Sequence, residues 1–244
     1  MSDYSFEFTG VEKVNAWGVT VRQIRAIRDI PRAGVTAGDI GGWIESAELT
    51  NGTARVSGDA WVFGDAQVFG NAWVYGNAWV SGNARVSGDA RVYGDARVSG
   101  NAWVYGDAWV YGNAWVSGDA RVSGDAWVSG DAQVSGNARV SGDARVYGDA
   151  WVSGDARVEL TRDYIAVGPI GSEGVTATLV RTKDGHLLNV GCWTGTLETL
   201  PDEVAKRRKS WGGATADHDV WQAQYDALTA LGRATAQRWE VGSR

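Results

Sequence analysis

The chain holds one cysteine and two histidines, so nucleophilic chemistry has few places to reside. Cys192 with His186 as base and Asp184 to orient the imidazole would form a nucleophile–base arrangement, because the thiolate must be generated and the ring held in one tautomer. Against that, Cys192 falls in an apolar run beside Trp193, where a lone cysteine serves as a small buried hydrophobe. His218 stands at a predicted helix start, an ordinary place for a solvated polar side chain. Oxygen ligands are plentiful, since Asp or Asn recurs every six residues through the middle of the chain. Stacked carboxylates would suit calcium. Yet Asp59, Asn77, Asp95 and Asn113 alternate acid with amide, and turn geometry accounts for them. No catalytic residue, metal site or cofactor is predicted.

The elements that would position any site follow from one periodicity. From Val56 to Val158 a valine stands at every sixth position without insertion or deletion, on the template Val-[Ser/Tyr/Phe]-Gly-[Asp/Asn]-Ala-x. Helical hairpins, propeller blades and leucine-rich units repeat at roughly 20 residues or more, so a shorter stacked unit is required. Arg85-Val86-Ser87 and Trp109-Val110-Tyr111 set a β-branched residue between two outward ones, which is a strand of period two. Gly followed by Asp or Asn then closes each unit with a turn. The alanine fits a crowded inner corner.

These residues resemble the hexapeptide-repeat family of left-handed parallel β-helices. The resemblance implies the handedness and a triangular coil of three units, giving nearly six coils. Coils spaced by about 4.8 Å make a rod roughly 30 Å long with a Val/Ala interior. Its two ends are open edges that need caps. The expected fold is mainly β: a three-sided solenoid over 46–158, an N-terminal β cap and lead-in over 1–45, and a C-terminal α+β domain over 159–244.

The flanks carry weaker signals. Tyr4 to Thr9 and Val19 to Ile30 read as strands, broken at Pro31 and Gly34. Ile40 to Ile44 leads into an imperfect coil, in which Ala47-Glu48-Leu49 copies the Ala-x-Val step with one residue too many before Val56. After Val158 the beat stops. Tyr164 to Val167 and Val175 to Arg181 read as strands, and Lys183-Asp184-Gly185 as a hairpin turn into Leu187 to Cys192. Thr199, Pro201 and Asp202 start a helix whose end is basic at Lys206 to Lys209. A second helix places Trp221, Tyr225, Leu228, Leu231 and Trp239 near one stripe.

Composition limits the partners. A net charge of −6 on 244 residues argues against non-specific nucleic-acid or membrane binding. No apolar stretch is long enough to span a bilayer, and the polar Met1-Ser2-Asp3 start does not read as a signal peptide, so a cytoplasmic location is expected. A single cysteine excludes an intramolecular disulfide framework.

Sorting outward residues by a coil of eighteen gives three faces. The first carries Trp73, Arg91, Trp109, Trp127 and Arg145 beside Tyr75, Tyr93, Tyr111, Ser129 and Tyr147. The second runs Trp61, Trp79, Arg97, Trp115, Gln133 and Trp151, and the third Gln67, Arg85, Trp103, Arg121, Arg139 and Arg157. So many exposed indoles would exceed the apolar area that soluble proteins leave bare. Trp, Tyr and Arg dominate interface hot spots. The first face, excluding Ser129, is therefore the candidate binding or oligomer surface, with Arg162, Tyr164, Cys192 and Trp193 as secondary candidates. Stacking of the ladders on themselves is the competing explanation.

The plan also resembles phage- and prophage-encoded hexapeptide-repeat proteins. The likeness lies in Arg25-Ala26-Ile27-Arg28-Asp29, in Ala37 to Glu45, in Arg162-Asp163-Tyr164 and in Gly168 to Ser172. It implies an accessory protein acting inside a bacterium. Family acyltransferases carry a histidine near subunit clefts and a loop extruded from a coil; here no histidine and no loop interrupt the repeats. The expectation is a non-enzymatic homotrimer that engages a host protein or sequesters a nucleotide-like signal. A structural rod or virion component and a trimeric acyltransferase are the alternatives.

Overall fold

Each repeat folds as a two-residue strand and a turn, because one inward valine between two outward residues is all that a narrow coil can hold. The computed structural model describes residues 5–15, 18–31, 35–51 and 53–241, apart from the side chains at 240 and 241. Tyr4, Gly34 and the Met1-Ser2-Asp3 start lie outside these residues. Strands β1 (Phe6–Val14), β2 (Thr20–Ala26) and β3 (Ile40–Ile44) precede the short strands β4 (Arg55–Val56) to β21 (Arg157–Val158). The short strands stack in parallel into three sheets, so the expected three-sided solenoid of about six turns is the fold. Each residue pairs with the one eighteen positions on, as Trp109 does with Trp127 and Val110 with Val128.

The coil interior is made of valine and alanine, from Ala60 and Val62 to Ala156 and Val158, nearly all fully buried. Backbone ladders hold adjacent coils: Trp109 N–H donates to the Ala126 carbonyl at 2.9 Å, and Tyr111 N–H to that of Val128 at 2.9 Å. At the turns coils approach too closely for a side chain. Gly118 has φ +67°, and a Cβ there would lie 2.9 Å from the Gly136 nitrogen. This is why the turn glycine never varies in the repeats.

At the amino end β1 and β2 form an antiparallel hairpin, β2 pairs antiparallel with β3, and β3 pairs parallel with the first solenoid strand of the second face. Thus the cap prolongs that sheet, with Arg22 ion-paired to Glu12 and Arg25 to Glu7 across the hairpin. The first coil has no surplus residue. Thr50 bridges Val68, so Ile44, Thr50 and Val56 keep the step of six. Ala47–Leu49 is a 3-10 turn and not a strand, and it turns Leu49 inward beside Thr50.

Past the last coil, strands β22 (Tyr164–Ile170), β23 (Val175–Thr182), β24 (Gly185–Val190) and β25 (Trp193–Gly195) form an antiparallel sheet, followed by α1 (Leu200–Arg208) and α2 (Thr215–Val241). Leu179, Leu188, Leu197, Leu200, Tyr225 and Leu228 fill the core between the sheet and the helices. Leu231 departs from expectation, being 48% exposed. At about 100° per residue it lies well off the line through Tyr225, Leu228 and Trp239. Gly232 takes the inner position instead, where a Cβ would meet Leu197 Cδ2 at 2.5 Å.

The solenoid core also runs one step beyond Val158. Tyr164, six residues on, occupies the next inward position and belongs to the same buried cluster. Its hydroxyl accepts the Tyr147 N–H at 3.3 Å, and the Thr161 hydroxyl accepts the Arg145 N–H at 3.1 Å. On the second face Thr178 accepts the Trp151 N–H at 3.0 Å, while the Asn189 amide donates to the Trp151 carbonyl at 2.9 Å. Side chains thus replace the missing coil.

Candidate binding faces of the solenoid

On the first face the register sets Arg55, Trp73, Arg91, Trp109, Trp127 and Arg145 in one column. The Trp109 and Trp127 rings stack at 5.1 Å between centroids and 6° between planes. Guanidinium groups close the stacks: Arg91 lies 4.8 Å from the Trp109 ring, Arg145 lies 4.6 Å from Trp127, and Arg55 lies 4.3 Å from Trp73. Beside this column Tyr75, Tyr93 and Tyr111 stack at 4.7 and 5.0 Å. Partial burial in that stack pushes the phenols of Tyr75 and Tyr93 above their ordinary range. Tyr147 stands apart, 57% exposed and edge-on to Tyr164.

The indoles obey a rule across rungs. The residue sixteen before each of several tryptophans either accepts its ring N–H or meets it edge-to-face. Ser57, Ser87, Ser99 and Ser135 accept from Trp73, Trp103, Trp115 and Trp151 at 3.1 to 3.3 Å. Phe63, Tyr93 and Tyr111 instead lie edge-on to Trp79, Trp109 and Trp127. The ladders therefore satisfy much of their own surface. Among the described solenoid tryptophans, only Trp115 is as much as 45% exposed. Along the first face runs a groove of about 410 Å³, with Asp89, Asp107, Asp125 and Asp143 on one wall and Arg91, Trp109, Trp127 and Arg145 on the other.

The third face differs. Arg121, Arg139 and Arg157 occupy consecutive rungs in direct register. They line a groove of about 210 Å³ with Tyr105, Ser123, Ser141 and Glu159. Sequence sorting registered these arginines without selecting them; the signal was three like charges at a spacing of eighteen.

The repeats match the YdcK beta solenoid repeat. That family model fits residues 66–82, 78–94, 90–106, 96–112, 114–130, 132–148 and 138–154, so the YdcK-like repeats lie within the segment that forms the three stacked faces. No curated protein matches the chain.

The secondary candidates are dispersed. Tyr164 is buried under the last coil, with its phenol pushed up to about 12 by desolvation. Arg162 is exposed, and its carbonyl accepts the Trp239 indole N–H at 2.9 Å. Cys192 is exposed and not buried: β24 ends at Val190, and the turn into β25 carries the thiol outward to within 3.9 Å of Arg207 Nη2. Trp193 is partly buried against the C-terminal core. His186 is not joined to Cys192. Its Nε2 accepts the Leu197 N–H at 3.1 Å, at the far end of a strand rising about 3.3 Å per residue. Among the described residues no cluster of His, Cys, Asp or Glu could hold a metal ion, and no helix is long and apolar enough to cross a membrane.

Proposed function

We propose that this is a non-enzymatic binding protein that works as a homotrimer, with the first face of the solenoid as its contact surface. One observation carries the reading: in a single chain the Trp109 and Trp127 rings of this column already stack, and Arg55, Arg91 and Arg145 already lie over its indoles. A surface ordered beforehand loses little conformational entropy on docking, and its aromatic and arginine side chains are those that anchor interfaces. Both signs of charge flank the groove, so a second copy can oppose Asp to Arg.

The motif likeness of Ala37 to Glu45 and of Arg162-Asp163-Tyr164 to phage-encoded proteins supports an accessory role in the bacterial cytoplasm during infection, as counter-defence or host takeover. The occupied caps at both ends speak against end-to-end growth into filaments. Native mass spectrometry tests the proposal. A trimer that becomes monomeric in a folded Trp109→Ala, Tyr111→Ala double variant is the expected result. A monomeric parent protein, or an unaltered trimer in the variant, would overturn it.

A further inference from the structure

Arginines on the other two faces are engaged in cation–π contacts: Arg55, Arg91, Arg97 and Arg145 each lie over an indole, at 4.3 to 5.2 Å. Arg121, Arg139 and Arg157 have no such cover. Among the described residues none of the three forms an ion pair or lies over an aromatic ring. They face one another directly across parallel strands, an arrangement that destabilises the rod. All three are exposed.

The shape beside them is equally specific. In the neighbouring column the outward residue falls from Tyr105 to Ser123 and Ser141, then rises to Glu159. The two serines open a trough, lined at one end by the Tyr105 ring and at the other by the Glu159 carboxylate. Tyr105 is itself braced by Trp103, with centroids 4.6 Å apart. Three guanidinium forks on rungs about 4.8 Å apart span about 10 Å. Two hydroxyls stand on the same rungs.

We propose that this trough binds a nucleoside polyphosphate. Arg121, Arg139 and Arg157, with Ser123 and Ser141, hold the phosphate chain, and the base stacks on Tyr105. Guanidinium groups match phosphate oxygens in pairs, and three of them on successive rungs suit a chain of phosphates better than a single small anion. Glu159 at the foot limits the length of the anion. The small volume of the trough, about 210 Å³, and the overall charge of −6 favour a small ligand over a nucleic-acid strand. This site is on a different face from the proposed trimer surface and does not depend on it.

Calorimetry with the intact protein tests the assignment, using ATP, ADP, AMP and inorganic tripolyphosphate as probes. Affinity should fall in the order ATP, ADP, AMP. Arg139→Gln should weaken ATP at least about tenfold, the loss of one charge-assisted contact, whereas Arg97→Gln on the second face should leave it unchanged. Tyr105→Ala should bring ATP down to the affinity of tripolyphosphate. Folding supplies a second readout: without ligand, Arg139→Gln should melt at or above the parent temperature, because it relieves like-charge repulsion, and ATP should raise the melting temperature of the parent and of Arg97→Gln by more than that of Arg139→Gln. Absence of ATP binding, an equal loss in Arg97→Gln, or affinity independent of phosphate number would overturn the site. Equal binding of tripolyphosphate and ATP by the parent would overturn the nucleoside part.

Discussion

Replacing Thr178 by valine removes one hydrogen bond at the end of the solenoid while keeping the shape of the side chain. In an interior rung of the same face, Gln133 N–H donates to the Ala150 carbonyl of the next coil at 2.8 Å. Trp151 has no next coil, and the Thr178 hydroxyl takes its N–H at 3.0 Å. Thr178 is 1% exposed, so water cannot substitute. A buried donor left without an acceptor costs about 1–3 kcal/mol. The Asn189 bond to the Trp151 carbonyl persists, which confines the damage to this donor. For a chain of this size the loss corresponds to a fall of about 2–12 °C in melting temperature. Urea denaturation should show a lower midpoint, and amide exchange should accelerate at Trp151 with Gln133 unchanged. An unaltered midpoint together with undiminished protection at Trp151 would refute the capping role of the hydroxyl.

Other substitutions probe the remaining elements. Gly118→Ala must adopt φ +67° and bring Cβ to 2.9 Å from the next coil, whereas Gly148, at φ +66°, has nothing within 4 Å of its Cβ. Left-handed strain costs about 1–2 kcal/mol in both, so Gly118→Ala should unfold at distinctly lower urea than Gly148→Ala. Trp109→Ala, which loses the Trp127 stack and the Arg91 contact, should cost about 1–2 kcal/mol in chemical denaturation. Gly232→Ala raises helix propensity but drives a methyl into Leu197; a net loss of about 1–3 kcal/mol is expected from thermal melts. Tyr164 is held neutral by burial, with its pKa near 12 against about 10 in the unfolded chain. Its contribution is whole below about pH 10 and is lost as pH rises through about 12, because only the unfolded state releases the proton in that window. Alkaline titration of phenolate absorbance should therefore show a component near pH 12 that disappears in Tyr164→Phe.

The solenoid was legible because every coil repeats the same physical demand: valine inward, glycine at the turn, alanine at the corner. The register of the three faces followed from counting eighteen once the family resemblance had supplied a coil of three units. The caps were less legible. Thr178 and Asn189 read as ordinary polar positions in strands, and their partner, Trp151, is far away in sequence. Tyr164 lay within reach of the same count, six past Val158, but an aromatic residue in a valine slot hides the beat. Cys192 was assigned to a strand because its neighbours are apolar, although the chain had already turned at Gly191. The first-face ladder and its stacking at a spacing of eighteen were visible, whereas the rule of sixteen, which links residues on successive rungs, emerges only once the coil is closed.

The direct pairing of each residue with the one eighteen on makes the rod a ruler with a fixed graduation. Losing or gaining one coil's worth of codons would shift the two caps by a single step of about 4.8 Å, without altering the contacts of either cap. Internal copies so alike in sequence invite such changes by recombination. Distance between the two ends is thus a trait that can vary in whole steps while every local interaction is preserved, and the number of arginine rungs on the third face would vary with it.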